Sequence, residues 1–323
     1  MTSQQIEYVL TLAQQGSFSK AARRLSVSQP SLSQYIINIE NQLGTPLFNR
    51  SATPIKLTPA GEAYVRAAVQ IKSIEENLRN EISDIEDLKA GSLRLGTTIF
   101  RACSMLPRSI AEFCRVYSGV KVSVTEDASE HLIEKILNGE IDILIGTGDY
   151  DPKLFDSEPL ADERLLLAVP TDSPINESLA ESRLTAEDIC SKSMQYLTAK
   201  PVDLSVLSDE NVIVCDDGME FTAEKIYDIF AGSGVTPKYS LQVRSVESAF
   251  SFVKAGLGVS FLPDSLIRFG DFRSHPYYYP LTDKVAKNVI SLVYRKNGFL
   301  SKAAREYGLI LKQLISNGTW RTM

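Results

Sequence analysis

The chain has 323 residues, of which 44% are hydrophobic and 23% charged, and its formal net charge is −6. That composition excludes a disordered chain, a collagen and a coiled-coil rod, and the length predicts two or three domains. No stretch approaches the roughly 18 uninterrupted apolar residues of a membrane span. Met1–Leu10 also lacks the basic start and greasy core of a signal peptide, so a cytoplasmic protein without membrane attachment is expected. Cysteines at 103, 114, 190 and 215 are too scattered for a disulfide framework.

Charge is uneven along the chain. Residues 1–58 carry Lys20, Arg23, Arg24, Arg50 and Lys56 against Glu7 and Glu40, a net of +3, which leaves −9 on the remainder. A mildly basic head precedes an acidic body, so the overall acidity does not exclude DNA.

In the head, Ile6, Val9, Leu10 and Ala13 recur at helical spacing up to Gly16, and Ser17 or Ser19 can cap a short helix from Lys20 to Leu25. Ser26-Val27 then turns the chain into a third helix. Ser28 is its N-cap, and Pro30 is tolerated in a first turn whose N–H groups have no helical partner. Leu32, Ile36, Ile39 and Leu43 predict one apolar stripe ending at Gly44. Pro46–Arg50 and Ile55–Leu57 flank Ser51-Ala52-Thr53-Pro54 as a two-stranded wing. Helix, short helix, tight turn, helix is the helix-turn-helix layout, in which the last helix enters a major groove.

From Thr58 to Lys89 no strong breaker follows Gly61. Tyr64, Ala67, Ile71, Ile74, Leu78, Ile85 and Leu88 keep a 3-4 spacing that predicts a long helix with a dimerising seam, about 45 Å in length. After Gly91 the chain alternates strands (Leu93–Gly96, Val120–Val124, Ile141–Ile145, Leu165–Val169, Val212–Cys215, Leu241–Val243, Val259–Leu262, Val289–Tyr294) with helices such as 102–113, Leu132–Leu137, 221–231 and Val246–Lys254. Alternation over so long a stretch predicts two α/β lobes with parallel strands.

The run Gly16-Ser17-Phe18-Ser19-Lys20-Ala21-Ala22-Arg23-Arg24-Leu25-Ser26-Val27-Ser28-Gln29-Pro30-Ser31-Leu32-Ser33 closely resembles the DNA-binding signature of LysR-type transcriptional regulators. The likeness continues through Leu47-Phe48-Asn49-Arg50 and Leu57-Thr58-Pro59-Ala60-Gly61, and more loosely through Leu93-Arg94-Leu95-Gly96 and Gly256-Leu257-Gly258-Val259. It implies a multidomain fold: a mostly α winged helix-turn-helix with a long linker helix, then two α/β, periplasmic-binding-protein-like lobes. The corresponding boundaries are 1–58 for the head, 59–90 for the linker and 91–323 for the body, with lobe I at about 91–163 and 267–323 and lobe II at about 164–266. The resemblance further implies homodimers joined into tetramers, double-stranded promoter DNA and a small-molecule effector as partners, with RNA polymerase as a further candidate.

On the third helix, Gln29 and Gln34 are the candidate base readers, because a glutamine amide pairs bidentately with adenine, while Pro30 can touch a thymine methyl. Ser31 and Ser33 suit phosphate or either-base contacts, Arg50 a phosphate or minor-groove role, and Lys56 a phosphate. Tyr35 follows Gln34 where the family often carries arginine, which argues against a guanine contact. Arg23 and Arg24 read as solvating the second helix. In the body, Thr98, Ile99 and Arg101 follow the first strand and are candidate effector contacts, joined by Thr147 and Thr198 on the resemblance. A guanidinium at Arg101 and free helix N–H groups point to an anionic or polar effector.

No cofactor is expected. His131 and His275 stand apart from other ligand types, which argues against a metal, and Cys215 is followed by two acidic residues that would not stabilise a redox-active thiolate. No phosphate loop, dinucleotide fingerprint or nucleophile elbow is present, so nothing supports an enzyme. The rival readings are an α/β enzyme carrying a DNA-binding module and an architectural DNA-binding protein without effector.

Overall fold

The computed structural model describes residues 1–52, 54–85, 91–127, 129–216, 223–231, 233–282, 286–296 and 298–316. The chain divides into two compact units, one built on Met1–Ile85 and the other on Glu86–Ile136 and Ile141–Met323.

The first unit runs α1 (Ser3–Gln15), α2 (Phe18–Arg24), α3 (Gln29–Leu43), a hairpin of β1 (Phe48–Asn49) and β2 (Lys56–Leu57), and α4 (Pro59–Ile85). Local chemistry sets each boundary. Thr2 and Gln5 form a reciprocal capping box on α1, and Gly16 ends that helix at φ +57°, a left-handed conformation that favours glycine. Ser17 occupies the N-cap of α2 without a side-chain cap bond. Ser28 accepts from the Ser31 N–H at 3.2 Å and caps α3 as expected. Leu32, Ile36 and Ile39 are buried with Ile6, Val9, Leu12, Ala21 and Ala22, each large side chain contributing roughly 1.5–3 kcal/mol by burial. Leu43, predicted to continue that stripe, is instead exposed at the helix end. The wing pairs antiparallel, Phe48 opposite Leu57 and Asn49 opposite Lys56. Gly61 lets α4 pass close beneath it: a Cβ there would lie 2.0 Å from the Leu47 carbonyl oxygen.

The second unit has two lobes. In the first, β3 (Ser92–Thr97) lies parallel to both β4 (Lys121–Glu126) and β5 (Ile143–Thr147). The helix predicted over 102–113 is two helices, α5 (Ile99–Ser104) and α6 (Leu106–Val116), because Met105 and Pro107 force a new start. α7 (Ser129–Leu137) follows β4. The 15-residue β6 (Phe155–Val169) crosses between lobes, and sequence reading found only its apolar second half. It leads to three short helices, α8 (Ile175–Ser178), α9 (Ala186–Ser191) and α10 (Met194–Thr198).

The second lobe continues with β7 (Asn211–Cys215), α11 (Ala223–Ala231), β8 (Lys238–Val243), α12 (Val246–Lys254), β9 (Ser260–Pro263) and α13 (Asp264–Phe269). β7 and β8 pair in parallel, whereas β9 runs antiparallel to β6. β10 (Tyr277–Pro280) also pairs antiparallel with Val169–Leu166 of β6. This segment therefore belongs to the second lobe's sheet, not to the first lobe as a boundary at 267 implied. β11 (Lys287–Arg295) returns between β5 and the first half of β6, antiparallel to both, and α14 (Lys302–Ser316) completes the first lobe. The seven-stranded sheet is mixed where alternation alone predicted parallel strands, whereas β7 and β8 do pair in parallel. Each lobe has its own core, one around Leu95, Phe113, Ile145, Leu292 and Tyr307, the other around Leu167, Ile213, Phe250, Phe261 and Tyr278.

Candidate functional site

The first turn of α3 presents Gln29, Pro30 and Ser31 to solvent, and Gln34 follows on an exposed face, with Ser33 half-buried. The Gln29 amide oxygen accepts from Ser19 Oγ at 3.0 Å. Gln34 Nε2 donates to Asn38 Oδ1 at 3.1 Å. Each bond uses one lone pair of the Gln29 oxygen or one N–H of the Gln34 amide, which leaves a second acceptor or donor site on the same atom. Asn38, one turn beyond Gln34, is an exposed polar neighbour that sequence reading passed over, although its i,i+4 spacing was the available signal.

Arg50 has a partner within the head. Its guanidinium pairs with Glu40 at 2.7 Å and lies 5.3 Å from the centre of the Phe18 ring. Glu40 also accepts from the Leu47 and Phe48 N–H groups, so this carboxylate fastens the wing to α3. Arg50 thus has a structural partner, and only its exposed portion remains for a phosphate. Lys56, on β2, is exposed. Arg23 is exposed at the end of α2.

On α4 the predicted seam divides. Tyr64 is 5% exposed inside the head core, so its side chain serves the head, and Ile71 packs half-buried against the same core. Ile74, Leu78 and Ile82 are 66%, 57% and 53% exposed. Their spacing of four places them on one face of the helix. The side chain of Ile85, and Leu88 as a whole, lie outside the described residues.

In the second unit, β3, β4 and β5 end at Thr97, Glu126 and Thr147, while β7 and β8 end at Cys215 and Val243. Ligands in such sheets gather beyond the carboxyl ends of parallel strands. α5 joins the two lobes here: Phe100 packs into the second lobe's core. The Cys103 thiol is pushed up by partial burial and by the carboxylates of Glu247 and Glu126. Thr98 occupies the N-cap position of α5 but makes no side-chain cap bond. Its Oγ1 is buried without a hydrogen-bond partner among the described residues, as is Glu247 Oε2. Ile99, the first residue of α5, is exposed and Thr147 is half-buried. Thr198 is exposed at the end of α10, its hydroxyl donating to the Met194 carbonyl at 2.7 Å.

Arg101 does not point to solvent. Its Nη1 and Nη2 reach the two Glu163 oxygens at 3.0 and 3.2 Å, and both side chains are buried. The carboxylate foreseen for this guanidinium comes from the chain itself. Ser265 Oγ also donates to Glu163. Next to this pair, Asp264 accepts from Tyr196 Oη at 2.5 Å and from the Arg164 N–H at 3.0 Å, and burial pushes its carboxyl above the ordinary range. These polar groups tie β6, where it crosses between the lobes, to α5, α10 and α13. Glu163, Tyr196 and Asp264 carried no sequence signal, because their partners are brought in from distant segments. A groove of about 650 Å³ opens beside the crossovers, where Arg164 and Lys287 face Asp149 and Asp162.

Among the described residues no three His, Cys, Asp or Glu side chains converge as a metal site. His131 bonds to Asp127 and His275 to the Tyr278 hydroxyl. No described helix is long and apolar enough to cross a membrane.

A winged helix-turn-helix followed in the chain by a long helix and a two-lobed α/β unit is the architecture of a DNA-binding regulator with a ligand-binding body. Comparison with known proteins gives the family. Residues 3–62 match the bacterial regulatory helix-turn-helix protein family of LysR type, and residues 86–314 match the LysR substrate binding domain. A probable RuBisCO transcriptional regulator of Trichormus variabilis is 26% identical over 99% of this chain and 90% of its own length. The HTH-type transcriptional regulator BenM of Acinetobacter baylyi is 26% identical over 91% of this chain and 90% of its own. The crystal structure of CbnR, a LysR family transcriptional regulator, superposes with a TM-score of 0.66 at 21% identity, covering 97% of this chain and 99% of that one. The chain belongs to the LysR family: it is a transcriptional regulator with a helix-turn-helix domain and an effector-binding domain.

Proposed function

We propose that this regulator binds a pseudo-palindromic operator as a dimer, and that a small polar molecule received at the lobe junction changes how it does so. The first turn of α3 reads bases through Gln29, Pro30 and Gln34, supported by Ser31 and Ser33, while Lys56 and the exposed part of Arg50 hold phosphates. Ile74, Leu78 and Ile82 form the self-association face, and two heads on one assembly raise affinity through effective concentration. Dimers pair into tetramers on the family's pattern.

The observation that supports the effector reading is Thr98, 5% exposed, with a hydroxyl that has no partner among the described residues where β3 hands over to α5. An unsatisfied buried polar atom costs about 1–3 kcal/mol, so such groups persist where a partner arrives from outside. A ligand acts only through different affinity for two arrangements of the protein, and a coupling of roughly 1–3 kcal/mol alters operator occupancy several-fold.

The test is operator footprinting of the full chain with and without a small-molecule extract of the source cells. Thr98→Val should leave the extract-free footprint intact and abolish the change the extract produces. A Thr98→Val footprint that shifts at wild-type extract concentration places the effector site elsewhere.

A further inference from the structure

We infer that the groove beside the crossovers is a ligand site in its own right, and that it takes a small zwitterion of the α-amino-acid type. Thr98 is not among its lining residues, so this site and the effector reading above stand or fall separately.

Strand register builds the groove. In the antiparallel pairing of β6 with β11, Arg164 stands opposite Lys287 and Asp162 opposite Val289. Residues two apart along a strand share a face, and so do directly paired residues, which puts these four on one side of the sheet. The alternate residues Glu163 and Ile290 are buried on the other side. β5 lies next to β11, and beyond its end Gly148 and Asp149 complete the lining. The volume of about 650 Å³ is that of a small-molecule site.

The charges select the ligand. Like charges directly opposite each other on paired strands are destabilising, so Arg164 across from Lys287 is an arrangement that a shared carboxylate relieves. The carboxylates of Asp149 and Asp162 line the same space, yet among the described residues neither forms an ion pair with Arg164. Opposite charges that share a groove without closing on each other leave room for a molecule carrying both. An anion alone would meet two carboxylates, and an amine alone would meet two cations. An α-amino acid answers each with a charge-assisted bond: its carboxylate to Arg164 and Lys287, its ammonium to Asp162 and Asp149. Val289, 45% exposed on the same face, offers apolar contact to an aliphatic side chain. A bare metal ion fits less well, because no three ligating side chains converge among the described residues.

The experiment is a thermal-shift screen of the full chain with each of the common L-amino acids. Those that stabilise it are then titrated calorimetrically beside their decarboxylated amines and their deaminated acids. At least one amino acid should raise the melting temperature in a concentration-dependent way, and its amine and its acid should each bind at least about tenfold more weakly. Asp162→Asn and Arg164→Gln should each weaken the amino acid about tenfold or more, the size of a lost charge-assisted bond. Asp162 is exposed, so its variant tests the site without opening the core, and Arg164→Lys, which keeps the charge, should lose less than Arg164→Gln. Thr98→Val should bind the amino acid as wild type does. An amine or an acid that binds as tightly as its amino acid overturns the zwitterion class. Amino-acid binding unchanged in both Asp162→Asn and Arg164→Gln overturns the groove, and its loss in Thr98→Val would then assign it to the effector junction instead. No shift from any amino acid also overturns the inference.

Discussion

Arg101 Nη1 and Glu163 Oε1 stand 3.0 Å apart, with side-chain exposures of 0% and 1%. The pair joins the helix after the first strand to the strand that crosses between lobes, so its loss would be felt by both. Removing one member leaves the other charge buried and unpaired, which typically costs about 3–5 kcal/mol. Arg101→Ala and Glu163→Gln are each expected to lower stability by that order in urea unfolding of the full chain, whereas Arg101→Met with Glu163→Leu should recover much of the loss. Single variants within about 1 kcal/mol of wild type would show that the pair is not shielded as described.

The self-association face is expected to begin at Ile74 rather than Tyr64. Ile74→Asp with Leu78→Asp should reduce the assembly to smaller species by light scattering while the head stays folded. Tyr64→Ala should act differently: it opens a cavity in the head core, costs about 3–5 kcal/mol by analogy with other buried aromatics, and weakens DNA binding through unfolding. An unchanged oligomer in the Ile74, Leu78 double variant would refute the assignment of this face.

Asp264 gives a pH prediction with a definite sign. Burial raises its carboxyl, against the opposing pull of Arg268 and the Tyr196 hydroxyl. A carboxyl with a higher pKa folded than unfolded binds protons on folding. Its contribution is therefore favourable at low pH and is lost as pH rises from the unfolded value, about 3.9, through the folded one. Asp264→Asn should flatten this dependence, so thermal melts across the acid range should show wild type losing stability relative to the variant as pH rises. A difference that stays constant, or runs the other way, contradicts the placement of this carboxyl.

Local signals in the sequence carried the head, and long-range pairings account for what was missed. Ser28, Pro30 and the stripe Leu32, Ile36 and Ile39 specify α3 through cap chemistry and period alone. Tyr64 misled because a 3-4 apolar spacing is the same whether the face meets the chain's own core or a second chain. The first half of β6 reads Asp156, Ser157, Glu158, Pro159 and Asp162, a polar run that becomes a strand only through its pairing with β11. Arg101 was placed at a ligand because its partner, Glu163, lies 62 residues further on. Thr98 stands out in the sequence as a candidate because it directly follows a strand, whereas the burial of its hydroxyl without a partner among the described residues is a property of the fold.

Lys56 and Gln29 should separate the two kinds of DNA contact. Lys56→Ala is expected to weaken all sequences alike and to flatten the salt dependence of binding by about one phosphate contact. Ser19→Ala, which frees the Gln29 amide oxygen, should leave sequence preference intact. A Lys56→Ala protein with an unchanged salt slope would remove Lys56 from the interface.

The recognition helix is the centre of the account, and selection from a random DNA library by the full chain tests it most directly. Wild type should enrich a pseudo-palindrome whose half-sites lie on one side of the duplex. Gln29→Ala should enrich the same site with its preference relaxed at one position per half-site, at a cost of about 1–3 kcal/mol. An identical selected sequence bound with unchanged affinity by Gln29→Ala would mean that α3 does not read DNA through its first turn.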